Sequence, residues 1–413
     1  MIRLLVNVTL PDNTTLFCGE IVTTLPDPRG IIQGAFRYAP EYLNHPMAFS
    51  LDPVNLPLSA KEFQTNRPEG VHAVFEDALP DDWGRALLIK KAKLKRGDQT
   101  IPRLLEVVGS NGLGALSFKS RPDRQPRPDA SAHIKNMKTI LDAALQYESG
   151  SHIDEKALHL LYQSGSSLGG ARPKALCRKE TGSLWIAKFP LHNDRFHVES
   201  IEAASLELAK RSGLLVPEFE IHQIGSREAL LVRRFDISNH GGRYHMISMQ
   251  TLLQAQGYYF LSYDDMFNVV KAHSCQPSMD IPALFRQMIF NVAIGNTDDH
   301  LKNFCMLHKA SGFSLSPVYD VLPDIHEKRE HSLSFPSGAG FLPPGRKTLQ
   351  RMGNAHNIEA ADQIIDHVLQ AVSGWKNVFQ QYSVPGLEIK RLEWGINRRI
   401  ESLKKPSALE PGT

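Results

Sequence analysis

Apolar and polar residues alternate with a period of two near the start of the chain, at Arg3 to Thr9, Phe17 to Val22 and Gly34 to Tyr38. That period turns one face of a strand toward a core, so short strands are predicted there, followed by a helix from about Trp83. Residues 1–120 therefore read as a small α/β subdomain. Ser120 to Ala130, SRPDRQPRPDA, breaks the pattern with proline and charge and no apolar period, which is the composition of an exposed connection. A linker is predicted over 121–132. From about 155 to 250 the predicted order is loop, strand, helix, strand, with Leu184 to Phe189 and Ala229 to Phe235 as strands and Ile201 to Arg211 as the helix. Beyond about 260 the period lengthens to that of a helix. Leu284, Phe285, Met288, Ile289 and Val292 form one stripe, and Ile364, Ile365, Val368, Leu369 and Val372 repeat its spacing. No internal repeat of fixed period interrupts this order. A strand-bearing region over 133–250 followed by a helical one over 251–413 predicts an α+β fold of two lobes with a cleft between them.

Composition adds limits. A chain of 413 residues exceeds one ordinary domain. Its formal charge of +3, from 47 basic and 44 acidic side chains, gives no strong overall field toward nucleic acid or anionic lipid. The four cysteines, Cys18, Cys177, Cys275 and Cys305, have no CxxC spacing, which argues against a disulfide framework and a zinc site. No stretch approaches 18 uninterrupted apolar residues, and the apolar run at Met1 to Val8 is soon closed by Pro11 and Asp12. Neither an export signal nor a membrane span is expected, and a cytoplasmic location is.

The chemistry concentrates in Ile294 to Asn303, IGNTDDHLKN, just beyond the apolar stripe. Packing has little use for two adjacent carboxylates, a histidine and two asparagines beside a core, because each buried polar group needs a partner. A cation or a phosphate would supply one. Asp298 precedes Asn303 by five residues, the interval between the base aspartate and the metal-binding asparagine in the H-R-D-x-x-x-x-N loop of protein kinases. One short loop can then hold a carboxylate that takes a hydroxyl proton beside an amide oxygen that takes magnesium. Lys302, between them, is placed to neutralise a transferring phosphoryl group. Asp320, in LSPVYDVLP, follows a turn at Ala310 to Gly312 and a short strand, Phe313 to Leu315. With Asn303 it makes an oxygen pair adequate for magnesium. The plainer alternative for Asp298, Asp299 and Asp320 is helix capping or surface ion pairing.

Upstream, Ser164 to Lys174, SGSSLGGARPK, joins small residues and the Gly169–Gly170 pair to basic ones before a strand. Such a loop lets backbone amides approach phosphate oxygens, although many Gly-Ser loops are plain connections. Lys188 interrupts the apolar strand LWIAKFP and needs a partner there, for which Glu202 on the following helix is the natural candidate. A strand lysine held by a helix glutamate is how kinases grip the α- and β-phosphates. An edge-strand lysine reaching to solvent is the competing explanation.

The order SSLGGARPK, IAKFP, ALLVRRFD, IGNTDDHLKN and SPVYDV resembles the HipA family of bacterial serine/threonine kinases. FRYAPEYL at Phe36 to Leu43, FEDALPDDWG at Phe75 to Gly84 and LLEVVGSNGLGA at Leu104 to Ala115 are similar to that family's N-terminal segments, so the resemblance spans most of the chain. It implies a protein-kinase-like two-lobed fold, ATP and Mg2+ as cofactors, Asp298 as the catalytic aspartate, Asn303 and Asp320 as magnesium ligands, and Lys188 as the phosphate lysine. Glu202, Lys174, Gly169 and Gly170 would complete the nucleotide site. The backbone of Leu231 to Phe235, including Arg234 and Phe235, would receive adenine. Arg233 stands where an acidic residue is expected. Ser167, with Ser166 beside it, would be the self-phosphorylated position, and His300 a structural support of the loop. The implied partners are a HipB-like helix-turn-helix antitoxin, DNA only through that complex, and a protein substrate such as an aminoacyl-tRNA synthetase. Arg391 to Lys405 reads as an amphipathic helix with a basic face, open to phosphates or simply to solvent.

Two other classes stay open. A metal-dependent phosphohydrolase would use Asp298, Asp299, His300 and Asp320 as ligands but leaves Lys188 and the glycine-rich loop idle. A catalytically inert scaffold for a DNA-binding partner is the third.

Overall fold

The computed structural model describes residues 1–120, 131–151, 153–165, 172–257, 259–325, 330–335 and 340–404. They form two compact units, the first from 1–193, 222–254 and 306–311, the second from 194–221, 255–305 and 312–413. The division departs from the expected linear one, since 1–120 and 133–193 share a unit and 194–221 belongs with the later helices. Most of the expected linker, 121–130, lies outside the described residues.

The first unit opens with an antiparallel sheet in the order Glu62–Thr65, Gly34–Tyr38, Thr15–Thr23, Ile2–Thr9, Leu116–Lys119. The strand Ile2–Thr9, paired on both sides, shows why the period-two pattern works: Ile2, Leu4, Val6 and Val8 are buried while Arg3 is exposed. A second five-stranded sheet runs Ala132–His133, Lys174–Arg178, Leu184–Lys188, Arg227–Arg233, Phe219–Ile224. Two helices, Met137–Glu148 and Glu155–Gly165, supply Ile140, Leu141, Ala144 and Leu161 to a core shared with Cys177, Trp185, Ala187 and Leu231 of this sheet. The second helix falls where a loop was expected, and the first was not foreseen. Both carry their apolar residues three and four apart, the spacing of a helix packed on one side. The strand predicted to reach Phe235 ends at Arg233.

Three histidines of this unit, His72, His245 and His308, have pKa values lowered to about 4, chiefly by burial. His245 gives its Nε2 to the Leu51 carbonyl at 2.7 Å, and His308 stacks on Phe49 with ring centroids 3.8 Å apart. Their unfolded values lie near 6.5, so the unfolded chain takes up protons first as the pH falls. Their stabilisation is complete above that value and is lost on acidification toward about 4. Thermal melts from neutral pH downward should show the melting temperature falling through this window, and a rise would contradict the buried neutral state.

The second unit is built on the helix Pro277–Ile294, whose residues from Leu284 onward are buried on almost every face. It packs against Tyr263–His273, Ala361–Ser373 and Gly386–Leu403. Pro277 starts it, at a position where the missing amide hydrogen costs nothing. Gly353 lets the helix Arg346–Ala355 come close, because a Cβ there would meet Ala361 and the Phe285 ring. Arg346, 4% exposed, donates to Asp362, Asp366 and the Leu403 carbonyl and so fastens three helices together. Among the described residues no helix is long and apolar enough to cross a membrane.

Candidate active site

The helix Pro277–Ile294 stops at Gly295, whose φ of +77° is a left-handed conformation that glycine adopts without steric cost. Its amide donates to the Asn291 carbonyl at 3.0 Å. Any side chain at 295 would also strike the Arg399 guanidinium. The loop then runs through Asp298 and Asp299 into a single 3-10 turn, Leu301–Asn303. That turn folds Asn303 back, so that its Nδ2 donates to the Asp298 carbonyl at 2.9 Å. A carbonyl acceptor demands the amide's nitrogen, and its Oδ1 is the atom left to meet a cation.

The two adjacent carboxylates have opposite surroundings. Asp298 is exposed, whereas Asp299 is 0% exposed. Asp299 Oδ2 accepts from the Tyr263 hydroxyl at 2.7 Å and from His331 Nδ1 at 2.9 Å, and its Oδ1 accepts from the Ser332 amide at 2.8 Å. With Nδ1 donating, His331 can use Nε2 to accept from Arg399 Nη1 at 3.3 Å. On the other side Asn296 donates to Asn291 Oδ1, and Asn291 Nδ2 donates to the Tyr263 oxygen. Burial first, and then the Asp299 charge, push the Tyr263 hydroxyl well above its ordinary pKa, so it remains a donor. Burial lowers the pKa of Arg399, against the pull of Asp324 and Asp299. Tyr263→Phe, which deletes one donor to a buried carboxylate, should cost about 1–3 kcal/mol of stability in urea denaturation. An unchanged midpoint would show that this bond contributes nothing.

Asp320 has a φ of +55°, uncommon for a residue with a side chain and least costly for Asp and Asn. The neighbouring Tyr319 hydroxyl donates to the Lys302 carbonyl at 2.7 Å, which ties the Asp320 segment to the 298–303 loop. Val318 donates to the Leu215 carbonyl at 2.8 Å. Tyr259 braces the loop from another side, its hydroxyl accepting from the Leu301 amide at 3.2 Å. The carboxylate of Asp320 and the amide oxygen of Asn303 are hard oxygen donors, which fits magnesium. No group of three or more His, Cys, Asp or Glu side chains suited to a metal occurs among the described residues.

His300 precedes the 3-10 turn, and its carbonyl accepts from the Asn303 amide at 2.9 Å. Tyr263, Asn291, His331 and Arg399 escaped the sequence reading. Only the polar cluster directly after an apolar helix, whose buried members need partners, hinted that donors must converge from elsewhere.

In the first unit Lys174 and Lys188 are direct partners across two antiparallel strands. Lys174 is 8% exposed and Lys188 partly so. Like charges directly opposite one another repel, and an anion between them relieves it. Arg234 is 3% exposed. Its amide donates to the Leu184 carbonyl at 3.0 Å and its guanidinium grips Asp236, so its carbonyl oxygen is the group it could offer to a base. Phe235 follows, partly buried. Glu202 is buried in the helix Val198–Arg211 of the second unit, as is Glu199. Ser166, Ser167, Gly169 and Gly170 lie outside the described residues.

Two family models match the chain, "HipA N-terminal domain" over residues 18–119 and "HipA-like C-terminal domain" over residues 166–375. Two proteins of Sinorhizobium fredii, Y4mE and Y4dM, each carried under a provisional kinase name, are similar to it. Y4mE is 35% identical over 72 residues, which is 16% of this chain and 17% of Y4mE. Y4dM is 25% identical over 268 residues, 61% of this chain and 62% of Y4dM. The chain thus matches less than two thirds of either relative's length. Among solved structures, HipA of Shewanella oneidensis MR-1, determined with HipB and operator DNA, superposes with a TM-score of 0.67 at 18% identity, covering 96% of each chain. That likeness is one of fold.

Proposed function

This chain belongs to the HipA family, and from that premise we propose that it is an ATP- and magnesium-dependent kinase acting on serine or threonine hydroxyls of proteins. The observation that carries the reading is the division of labour in the loop. Asp299 is locked by three donors, Asp298 beside it is exposed, and Asn303 is folded back toward Asp298. In this reading the Asp298 carboxylate accepts the proton of the attacking hydroxyl. Lys302 offsets charge on the phosphoryl group in transfer. Lys188 and Lys174 hold the phosphates, with Glu202 supporting the lysine, and the backbone around Arg234 and Phe235 receives the base. Asn303 Oδ1 and Asp320 would hold magnesium, which would supply charge neutralisation to the nucleotide phosphates.

Ser167 or Ser166 is the proposed self-phosphorylation site, and His300 a support of the loop. A HipB-like antitoxin is the proposed partner, carrying the complex to DNA, with a translation component such as an aminoacyl-tRNA synthetase as substrate. The phosphohydrolase alternative is disfavoured because both Asp299 oxygens already accept hydrogen bonds. The inert-scaffold alternative leaves the exposed Asp298 without a task.

Incubation of the purified, phosphatase-treated chain with magnesium and γ-labelled ATP, followed by phosphopeptide mass spectrometry, tests the proposal. Label on Ser166 or Ser167, abolished by chelation, is expected. Release of free phosphate with no labelled protein, together with a retained transition metal, would return the site to the hydrolase class.

A further inference from the structure

A second concave site lies wholly within the first unit. The end of the strand Ile2–Thr9, the hairpin tip at 179–183 and the loop after Arg227–Arg233 enclose a cleft of about 510 Å³. Four arginines line it, Arg178, Arg233, Arg234 and Arg243, and its described lining contains no carboxylate, lysine or aromatic ring. Asp236, the carboxylate beside Arg234 and Arg243, is fully engaged. Its Oδ1 accepts from Arg234 Nε at 2.9 Å, and its Oδ2 accepts from Arg234 Nη2 at 2.5 Å and the Gly114 amide at 2.8 Å. The remaining nitrogen of that guanidinium, Arg234 Nη1, is buried and has no hydrogen-bond partner, in a residue 3% exposed. Arg243 donates to the carbonyls of Gly112 and Gly114, at 2.9 and 3.1 Å. Its pKa is lowered to about 10, by burial first and by the Arg234 charge second. Cations crowded together in this way, around a donor with nothing to bond, are what a site for an anion requires.

We propose that this arginine cleft binds a small anion carrying two or more phosphoryl groups. A guanidinium matches phosphoryl oxygens in shape and charge, although Arg178 already gives Nε to Ser131 and Nη1 to the Gly182 carbonyl, and the side chains of Thr9, Asn13 and Ser117 add further polar groups. The volume falls within the range of small-molecule sites, roughly 300–1,000 Å³. With no aromatic ring to stack a base, the recognised part is the phosphate chain. A duplex presents its phosphates on a convex surface and does not enter a cleft of this size. Lys174 and Lys188 are not among the lining residues, so the cleft does not include the phosphate lysines of the proposed kinase site, although it shares Arg234 with that site.

Calorimetric titration of the full chain with sodium tripolyphosphate, at physiological ionic strength, tests the inference. Saturable binding is expected, with a component that survives Lys188→Ala. Arg178→Ala should weaken it by about ten-fold or more, a shift of about 1.4 kcal/mol. Should Arg178→Ala fail to fold, Thr181→Glu opposes the local positive field from the exposed hairpin tip and should also weaken binding. Loss of binding in Lys188→Ala alone would assign the anion to the nucleotide cradle and overturn the proposal. Titration no different from sulfate at matched ionic strength, or binding shown by duplex DNA alone, would overturn it too.

Discussion

Asp298→Asn is expected to slow phosphoryl transfer by about 10²- to 10⁴-fold, the range of a lost general base, while nucleotide still binds. The fold draws on residue 298 through its backbone carbonyl, which holds Asn303, and asparagine keeps that carbonyl. The exposed side chain keeps its shape and loses only its charge and its capacity to take a proton. A labelled-phosphate assay beside equilibrium binding of a nucleotide analogue separates the two effects. Loss of nucleotide binding would mean that Asp298 belongs to the cradle, and undiminished transfer would remove it from the chemistry.

The neighbouring substitution should fail differently. Asp299→Ala strands the buried Tyr263 hydroxyl and His331 Nδ1 and the partly buried Ser332 amide around the missing carboxylate. Removing one member of such a buried set costs about 3–5 kcal/mol, a large part of the stability of an ordinary domain. Denaturant midpoints should fall accordingly, with Asp299→Asn intermediate because one amide oxygen remains to accept. If Asp299→Ala were as stable as the parent and lost only a bound metal, Asp299 would be a ligand and the hydrolase reading would regain its footing.

These two aspartates mark where the sequence stops being legible. IGNTDDHLKN announces a site because a polar cluster directly after an apolar helix has no packing purpose. Adjacent letters carry no sign of which carboxylate meets solvent and which is sealed in. That assignment depends on Tyr263 and His331, 36 and 32 residues away, and on Arg399, 68 residues beyond His331. Alternating strands such as Ile2–Thr9 were readable because one face is buried and the other wet. The helix Val198–Arg211 was harder, since Glu199, Ser200, Glu202 and Ser205 are buried among its apolar residues and blur any stripe. Met137–Glu148 was readable in principle, because Met137, Ile140, Leu141 and Ala144 keep helical spacing.

Arg399 has a further consequence, one of timing. It sits in the helix Gly386–Leu403, rests against Gly295 and donates to His331. A ribosome makes the 298–303 loop about a hundred residues before it makes this arginine, and domains fold as their sequence emerges. A nascent chain holding Asp298 and Asn303 but not yet Arg399 has an unbraced loop, so the loop reaches its final geometry only after the helix Gly386–Leu403 has been made.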